Sequence, residues 1–263
     1  MRHYLITGAA GGMGRALSKA LTESGHEVWG IVRRKTEDWT GFHPVCADLC
    51  RTDQLDSAAQ QVIREAGSLD GIIHMAGVYD LDSLVEIEES AFLRDFDVNL
   101  FGVYRVNKLF LHLLKKGGRI VIVTSELAPL DPLPFTGIYA VTKAALDKYA
   151  FSLRMELQML GIDVVVIRPG AVDTGMISDS VRKLNRFCSE TELYSVNATR
   201  FKTIVGRIET KTISPEKLCR TVRTALEAKK PRLVYTINRN PLLLLMNALP
   251  QRLQLSVIRK ILS

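Results

Sequence analysis

Seven short apolar runs, most of them separated by stretches of helical periodicity, constrain this chain more than any other feature. The runs are His3–Thr7, Glu27–Val32, Pro44–Cys46, Gly71–Met75, Arg119–Thr124, Asp163–Arg168 and Leu233–Ile237. Between them Met13, Ala16, Leu17, Ala20 and Leu21 recur at helical spacing until Gly25, and Leu55, Ala58, Ala59, Val62 and Ile63 mark a second helix. Ser90–Lys116 and Ile138–Leu160 also read as helical, and Ser214-Pro215 as a cap followed by proline at the start of another helix. The runs are nearly continuous in apolar residues, as strands covered on both faces must be. Strand and helix in alternation imply right-handed crossovers and a parallel sheet. The expected fold class is therefore α/β, a doubly wound sheet in one domain over residues 1–263. Residues 175–213 are read as a substrate lid and 238–263 as a basic amphipathic helical tail.

With 263 residues, 47% of them hydrophobic and 24% charged, the chain can bury a sizeable core. Cys46, Cys50, Cys188 and Cys219 are scattered, without metal-ligand spacing, and read as reduced packing residues with no metal site. No signal peptide and no spanning segment is expected, since the longest tail run, Leu242–Met246, falls far short of the roughly 18 apolar residues a span needs. That points to a cytoplasmic protein. The net charge of +7 sits wholly in the tail: Lys229, Lys230, Arg232, Arg239, Arg252, Arg259 and Lys260 have no acidic counterpart after position 227. Such a tail suits an anionic membrane surface, an acidic partner, or a cover over the substrate mouth. Nucleic acid is not expected, because no aromatic residues interleave with the charge.

The first strand runs into Thr7-Gly8-Ala9-Ala10-Gly11-Gly12-Met13-Gly14. Glycines let a strand turn sharply into a helix and let backbone approach a phosphate, and the helix N-terminus offers free N–H groups to a pyrophosphate. Gly8, Gly12, Met13 and Gly14 are the expected contacts. The end of the second strand then selects the cofactor. A dinucleotide site for NAD wants an acid there for the ribose hydroxyl. This chain has Arg33 and Arg34, whose guanidinium groups suit a 2′-phosphate, with Arg15 as a possible third. NADP(H) is expected over NAD(H).

Tyr139 and Lys143 are four apart on a helical stretch and so share a face. A free tyrosine titrates near 10, and a neighbouring ammonium lowers that value. Ser125 closes the strand Arg119–Thr124, and Asn99 lies on the helical stretch before it.

The Thr-Gly-x-x-x-Gly-x-Gly turn, followed in order by Asn99, Ser125, Tyr139 and Lys143, resembles the classical short-chain dehydrogenase/reductase family, over roughly residues 3–175. Asp97–Ser125 and Phe135–Thr174 are most similar to its retinol and hydroxysteroid dehydrogenase branch. The resemblance implies a Rossmann fold and a catalytic tetrad of Asn99, Ser125, Tyr139 and Lys143. Tyr139 would be the acid/base and Lys143 would also bind the nicotinamide ribose. Asp48 would contact the adenine, although a loop-capping role suits it too. Pro169, Gly170, Val172 and Thr174 would lie beside the nicotinamide. The family's Asn-Asn-Ala-Gly segment is here His74-Met75-Ala76-Gly77, which keeps the two small cofactor-facing residues and replaces both asparagines. His74 reads as a buried strand-end residue rather than a catalytic one.

The resemblance implies an NADP(H)-dependent oxidoreductase acting on a small hydrophobic carbonyl/alcohol pair, working as a homodimer or homotetramer through the helix that carries Tyr139. The lid, rich in residues such as Met176, Ile177, Leu184, Phe187, Leu193, Tyr194 and Phe201, suits a hydrophobic substrate or simply its own packing. A 3-oxoacyl thioester reductase and a non-catalytic NADP(H) sensor are the other functional classes open to such a chain.

Overall fold

The computed structural model describes residues 1–34, 36, 39–207 and 211–263. Seven parallel strands, β1 (His3–Thr7), β2 (Glu27–Val32), β3 (Phe42–Cys46), β4 (Leu69–His74), β5 (Leu114–Val123), β6 (Asp163–Pro169) and β7 (Val234–Ile237), form one sheet in the order β3-β2-β1-β4-β5-β6-β7. The order reverses between β1 and β4, and in such sheets the crevice beyond the carboxyl ends of those strands is where ligands bind.

Alternate residues of the apolar strands serve opposite layers. Ile72, Ile120, Ile122, Val164 and Val166 face one core with Leu55, Val62, Val106 and Phe110. Ile73, Val121, Val123, Val165 and Ile167 face the other with Leu17, Leu21, Leu218 and Val222. The first layer holds α2 (Thr52–Ala66), α4 (Gly102–Phe110) and α5 (Gly137–Leu157), and the second holds α1 (Gly12–Thr22) and α8 (Pro215–Glu227). This double coverage is why the strands lack polar alternation.

The expected helix Ser90–Lys116 is instead a composite. It comprises α3 (Glu89–Phe96), a π-helical turn Asp97–Phe101, α4, and a short tight turn Leu111–Leu113. The expectation overshoots because Leu114 pairs with Leu69 at the start of β5 before a bulge, and Gly117 at φ +83° donates its N–H to Gly161 O.

The segment read as a lid is two helices, α6 (Gly175–Glu190) and α7 (Ser195–Arg207); its positions 208–210 lie outside the described residues. Phe135 stacks among Phe187, Tyr194 and Phe201 at 4.7, 5.4 and 5.5 Å between ring centroids. Its φ of +64° is unusual for an aromatic residue and is held by this packing and by the bond from Asp82 N–H to its carbonyl. Lys183 of α6 reaches Asp80 Oδ1 at 2.8 Å, and Glu86 accepts from Thr191 Oγ1 and from the N–H groups of Glu192 and Leu193. Much of the lid's apolar content, notably Leu184, Phe187 and Phe201, is thus spent fastening it down, while Leu193 stays exposed.

The tail forms α9 (Pro241–Asn247) and α10 (Gln251–Leu262). Ile258 and Leu262 join the lid's apolar cluster, and the buried Gln254 donates to Leu249 O. Among the described residues no helix is long and apolar enough to cross a membrane.

Candidate active site

β1 delivers the glycine turn to the crevice. Gly8 has φ +68°, and a Cβ there would stand 2.7 Å from Ala76 N. At Gly14 a Cβ would stand 2.2 Å from Gly8 O, so the turn closes on itself with backbone against backbone. Both positions require glycine for reasons of space. Gly11 and Gly12 are exposed, and α1 carries no acid in its first turn. A loop of this shape at the N-terminus of α1 fits a dinucleotide pyrophosphate. Met13, half-buried, packs against the α8 core. Arg33 and Arg34 stand exposed just past β2, and Arg15 is exposed on α1. Asp48 Oδ1 accepts from Cys50 N–H at 2.9 Å, the loop-capping arrangement.

The turn after β6 comes to the same place. The Cγ2 of Thr174 lies 3.0 Å from where a Gly12 Cβ would be, and the Thr174 side chain caps α6 through Met176 N–H. Val172 is buried and bridges to Ile213. Ala76 and Gly77 follow β4, with Thr7 Oγ1 accepting from the N–H groups of Met75 and Ala76 at 3.3 Å each. That threonine supports the segment that lacks the family's asparagines, a role sequence reading missed. His74 is fully enclosed, its Nε2 2.8 Å from Asn107 Oδ1, and burial pulls its pKa down to about 4. It is a neutral strand-end residue, as expected.

Asn99 sits in the π-helical turn with no exposed surface. Its Oδ1 accepts from Val78 N–H at 2.8 Å, and its Nδ2 donates to Val78 O and Thr142 Oγ1 at 3.0 Å each. The wide turn is what aims this side chain inward, and such turns often mark functional positions. Thr142, one residue before Lys143, is a tether the motif alone did not reveal.

Ser125, Tyr139 and Lys143 are all buried at the carboxyl end of β5 and on the first turns of α5. Burial pushes the Tyr139 phenol up to about 12; contact with the Ser125 hydroxyl draws it down, and the charge of Glu126 pushes it up again. Burial also pulls Lys143 down to about 8. Lys143 Nζ lies 5.7 Å from the Tyr139 ring centroid and donates to Val123 O at 3.3 Å. Desolvation is the largest influence on the phenol, and it acts against the lowering expected from Lys143. Tyr79, which the sequence gave no reason to single out, packs edge-on against Tyr139 at 4.5 Å.

A doubly wound parallel sheet with a glycine turn at its switch point defines a Rossmann-like α/β protein. Comparison with known proteins takes the assignment further: the short chain dehydrogenase model matches residues 2–185, and the chain belongs to that oxidoreductase family, whose members use nicotinamide cofactors. It is 27% identical over 228 residues to a 3-ketodihydrosphingosine reductase of Bacteroides thetaiotaomicron, covering 86% of this chain and 84% of the relative. It is 30% identical over 222 residues to mouse retinol dehydrogenase 16, covering 78% and 66% respectively. The fold matches a Burkholderia cenocepacia short chain dehydrogenase solved with NADP, at a TM-score of 0.75 and 22% identity over 100% of this chain and 98% of that one.

Proposed function

We propose that this protein is an NADP(H)-dependent oxidoreductase that interconverts a hydrophobic ketone or aldehyde and its alcohol, with Tyr139 as the acid/base. The observation that carries the reading is that Ser125, at the carboxyl end of β5, and Tyr139, on the first turn of α5, are both buried and in contact. A bound nicotinamide supplies the hydride chemistry. Ser125 and Tyr139 hydrogen-bond the substrate oxygen, and Tyr139 gives it a proton in the reductive direction. A phenol pushed up to about 12 is protonated near neutrality, so the site is set as a proton donor. Lys143 Nζ, 3.3 Å from the Cβ position of Gly77, stands where it can restore that proton and hold a ribose hydroxyl. Arg33 and Arg34 support the choice of NADP(H) by charge and forked geometry. The names of the two relatives, a ketodihydrosphingosine reductase and a retinol dehydrogenase, agree with a carbonyl/alcohol pair on an apolar molecule.

Phe101, Tyr104, Val141, Phe151 and Met155 stand exposed along the π-helical turn, α4 and α5, which supports a homodimer or homotetramer built on those helices. Leu245, Leu253 and Leu255 stand exposed beside Arg252 and Arg259 on the tail, which supports peripheral contact with an anionic membrane.

The test is oxidation of NADPH and NADH, in parallel, with a panel of apolar ketones and aldehydes. Turnover with NADPH preferred is expected, with Tyr139→Phe lowering kcat by roughly 100-fold or more. Replacing Arg33 and Arg34 by Ala should raise KM for NADPH and leave that for NADH nearly unmoved. Near-normal turnover by Tyr139→Phe would remove the assignment.

A further inference from the structure

Tyr139, Lys143 and Asp147 follow one another at intervals of four on α5 and so form one stripe along the helix. The chemistry above uses the first two. Asp147 instead meets the sheet. Arg168 donates to both of its carboxylate oxygens, Nε to Oδ1 at 3.0 Å and Nη2 to Oδ2 at 2.5 Å. Thr124 Oγ1 lies 3.4 Å from the same Oδ1. Arg168 is the residue of β6 before Pro169 and the turn that leads to Val172 and Thr174, and Thr124 directly precedes Ser125 just past β5. One carboxylate therefore joins the three segments that carry Ser125, Tyr139 with Lys143, and the turn after β6. The Arg168 and Asp147 side chains are only 21% and 19% exposed, so water screens the pair incompletely. A forked Arg–carboxylate contact also fixes direction, which the apolar packing of Leu146 and Ala150 on the same helix does not. Farther along α5, Arg154 holds the helix to Val164 O and Leu233 O at 2.8 Å each, away from the site.

We propose that Asp147 is a positioning residue: through Arg168 and Thr124 it sets Tyr139 and Ser125 in register with the turn after β6. This rests on the oxidoreductase reading, in which that turn lies beside the nicotinamide while Ser125 and Tyr139 hold the substrate oxygen. The two reacting partners are then carried by different elements of the fold. Reacting atoms must stand roughly 3–3.5 Å apart, and a misplacement of about 1 Å costs on the order of a hundredfold in rate. Asp147 touches neither substrate nor cofactor, so its effect falls on kcat and leaves affinity alone.

The experiment compares wild type with Asp147→Asn, Arg168→Gln, their double variant and Arg154→Met, at a temperature where thermal unfolding shows each to be folded. The substrate is the apolar ketone or aldehyde that the wild type reduces fastest. Asp147→Asn and Arg168→Gln should each lower kcat roughly tenfold or more, with KM and the Kd for NADPH within about twofold. The double variant should be no worse than the poorer single, because one contact is lost in all three. Arg154→Met should lose stability yet keep kcat within about twofold, since it loosens α5 away from the site. Near-normal kcat in Asp147→Asn, an equal fall in Arg154→Met, or losses that multiply in the double variant overturn the proposal. If Asp147→Asn does not fold, Arg168→Lys, which keeps the charge and loses the fork, carries the same expectation. Emission from NADPH at saturation gives a readout apart from turnover, because a nicotinamide held still emits more strongly than a loose one. It should weaken in Asp147→Asn and not in Arg154→Met, and equal emission in all three proteins overturns the proposal. If the wild type reduces nothing but that difference in emission is seen, the reductase reading falls and the positioning role stands.

Discussion

Replacing His74 by Asn should remove a specific part of the protein's acid sensitivity. His74 has 2% of its surface exposed, its Nδ1 meets no partner, and its Nε2 lies against Asn107 Oδ1. Burial is the main cause that lowers its pKa from the ordinary 6.5 to about 4. In the unfolded chain the imidazole takes up a proton near 6.5; in the fold it resists until about 4. Its contribution to stability is therefore complete above 6.5, is lost as pH falls from 6.5 toward 4, and is constant below that. Each pH unit between the two values is worth about 1.4 kcal/mol, so the full loss is about 3 kcal/mol. Asp95 works in the opposite sense. Burial and the nearby Asp80 raise it from 3.8 to about 6, so its contribution improves as pH falls through 6 toward 3.8. Because Asp95 is common to both proteins, the difference between wild type and His74→Asn isolates the histidine. Urea unfolding, followed by tryptophan fluorescence from pH 7 to 4.5, should show wild type losing about 2 kcal/mol more than the variant. A difference in unfolding free energy that stays flat across that range would refute the account of His74 as a neutral, desolvated imidazole.

Two further substitutions probe the site's framework. Gly14→Ala places a Cβ 2.2 Å from Gly8 O, where only backbone could yield; a cost of about 3 kcal/mol is expected, with NADPH affinity weakened tenfold or more, read by thermal unfolding and fluorescence titration. Asn99→Ala strips three hydrogen bonds from a fully buried position and leaves Val78 N–H and C=O without it, which should cost about 3 kcal/mol in urea unfolding and lower kcat, whereas undiminished stability would deny the role of the π-helical turn.

The inner strands were legible because they are covered on both faces, so burial writes itself into apolar runs rich in Val, Ile and Leu; the edge strands β3 and β7 are only partly buried. The glycine turn and the order of Asn99, Ser125, Tyr139 and Lys143 were legible because spacing along the chain maps directly onto a strand, a turn or one helix face. The break at Leu114 was not legible, since a helix and a strand compete there on similar local patterns and the pairing with Leu69 settles it. The two helices of residues 175–207 were not singled out in the sequence, and their packing on Phe135 and on the tail, far away in sequence, is decided only by the fold.

What the sequence determined by itself was the alternation of elements, the parallel sheet they demand and the chemistry at the carboxyl ends of its strands. Local periodicity and short-range sterics suffice for that. Tertiary structure alone decided the rest. It widened the helix at Asp97–Phe101 so that Asn99 could reach Val78 and Thr142. It buried Tyr139 deeply enough that desolvation pushes the phenol up. It also brought Thr124, Asp147 and Arg168 together from three separate parts of the chain. Proton affinity and close contact depend on what surrounds a group in space, and that environment exists only after the sheet has closed its two layers around it.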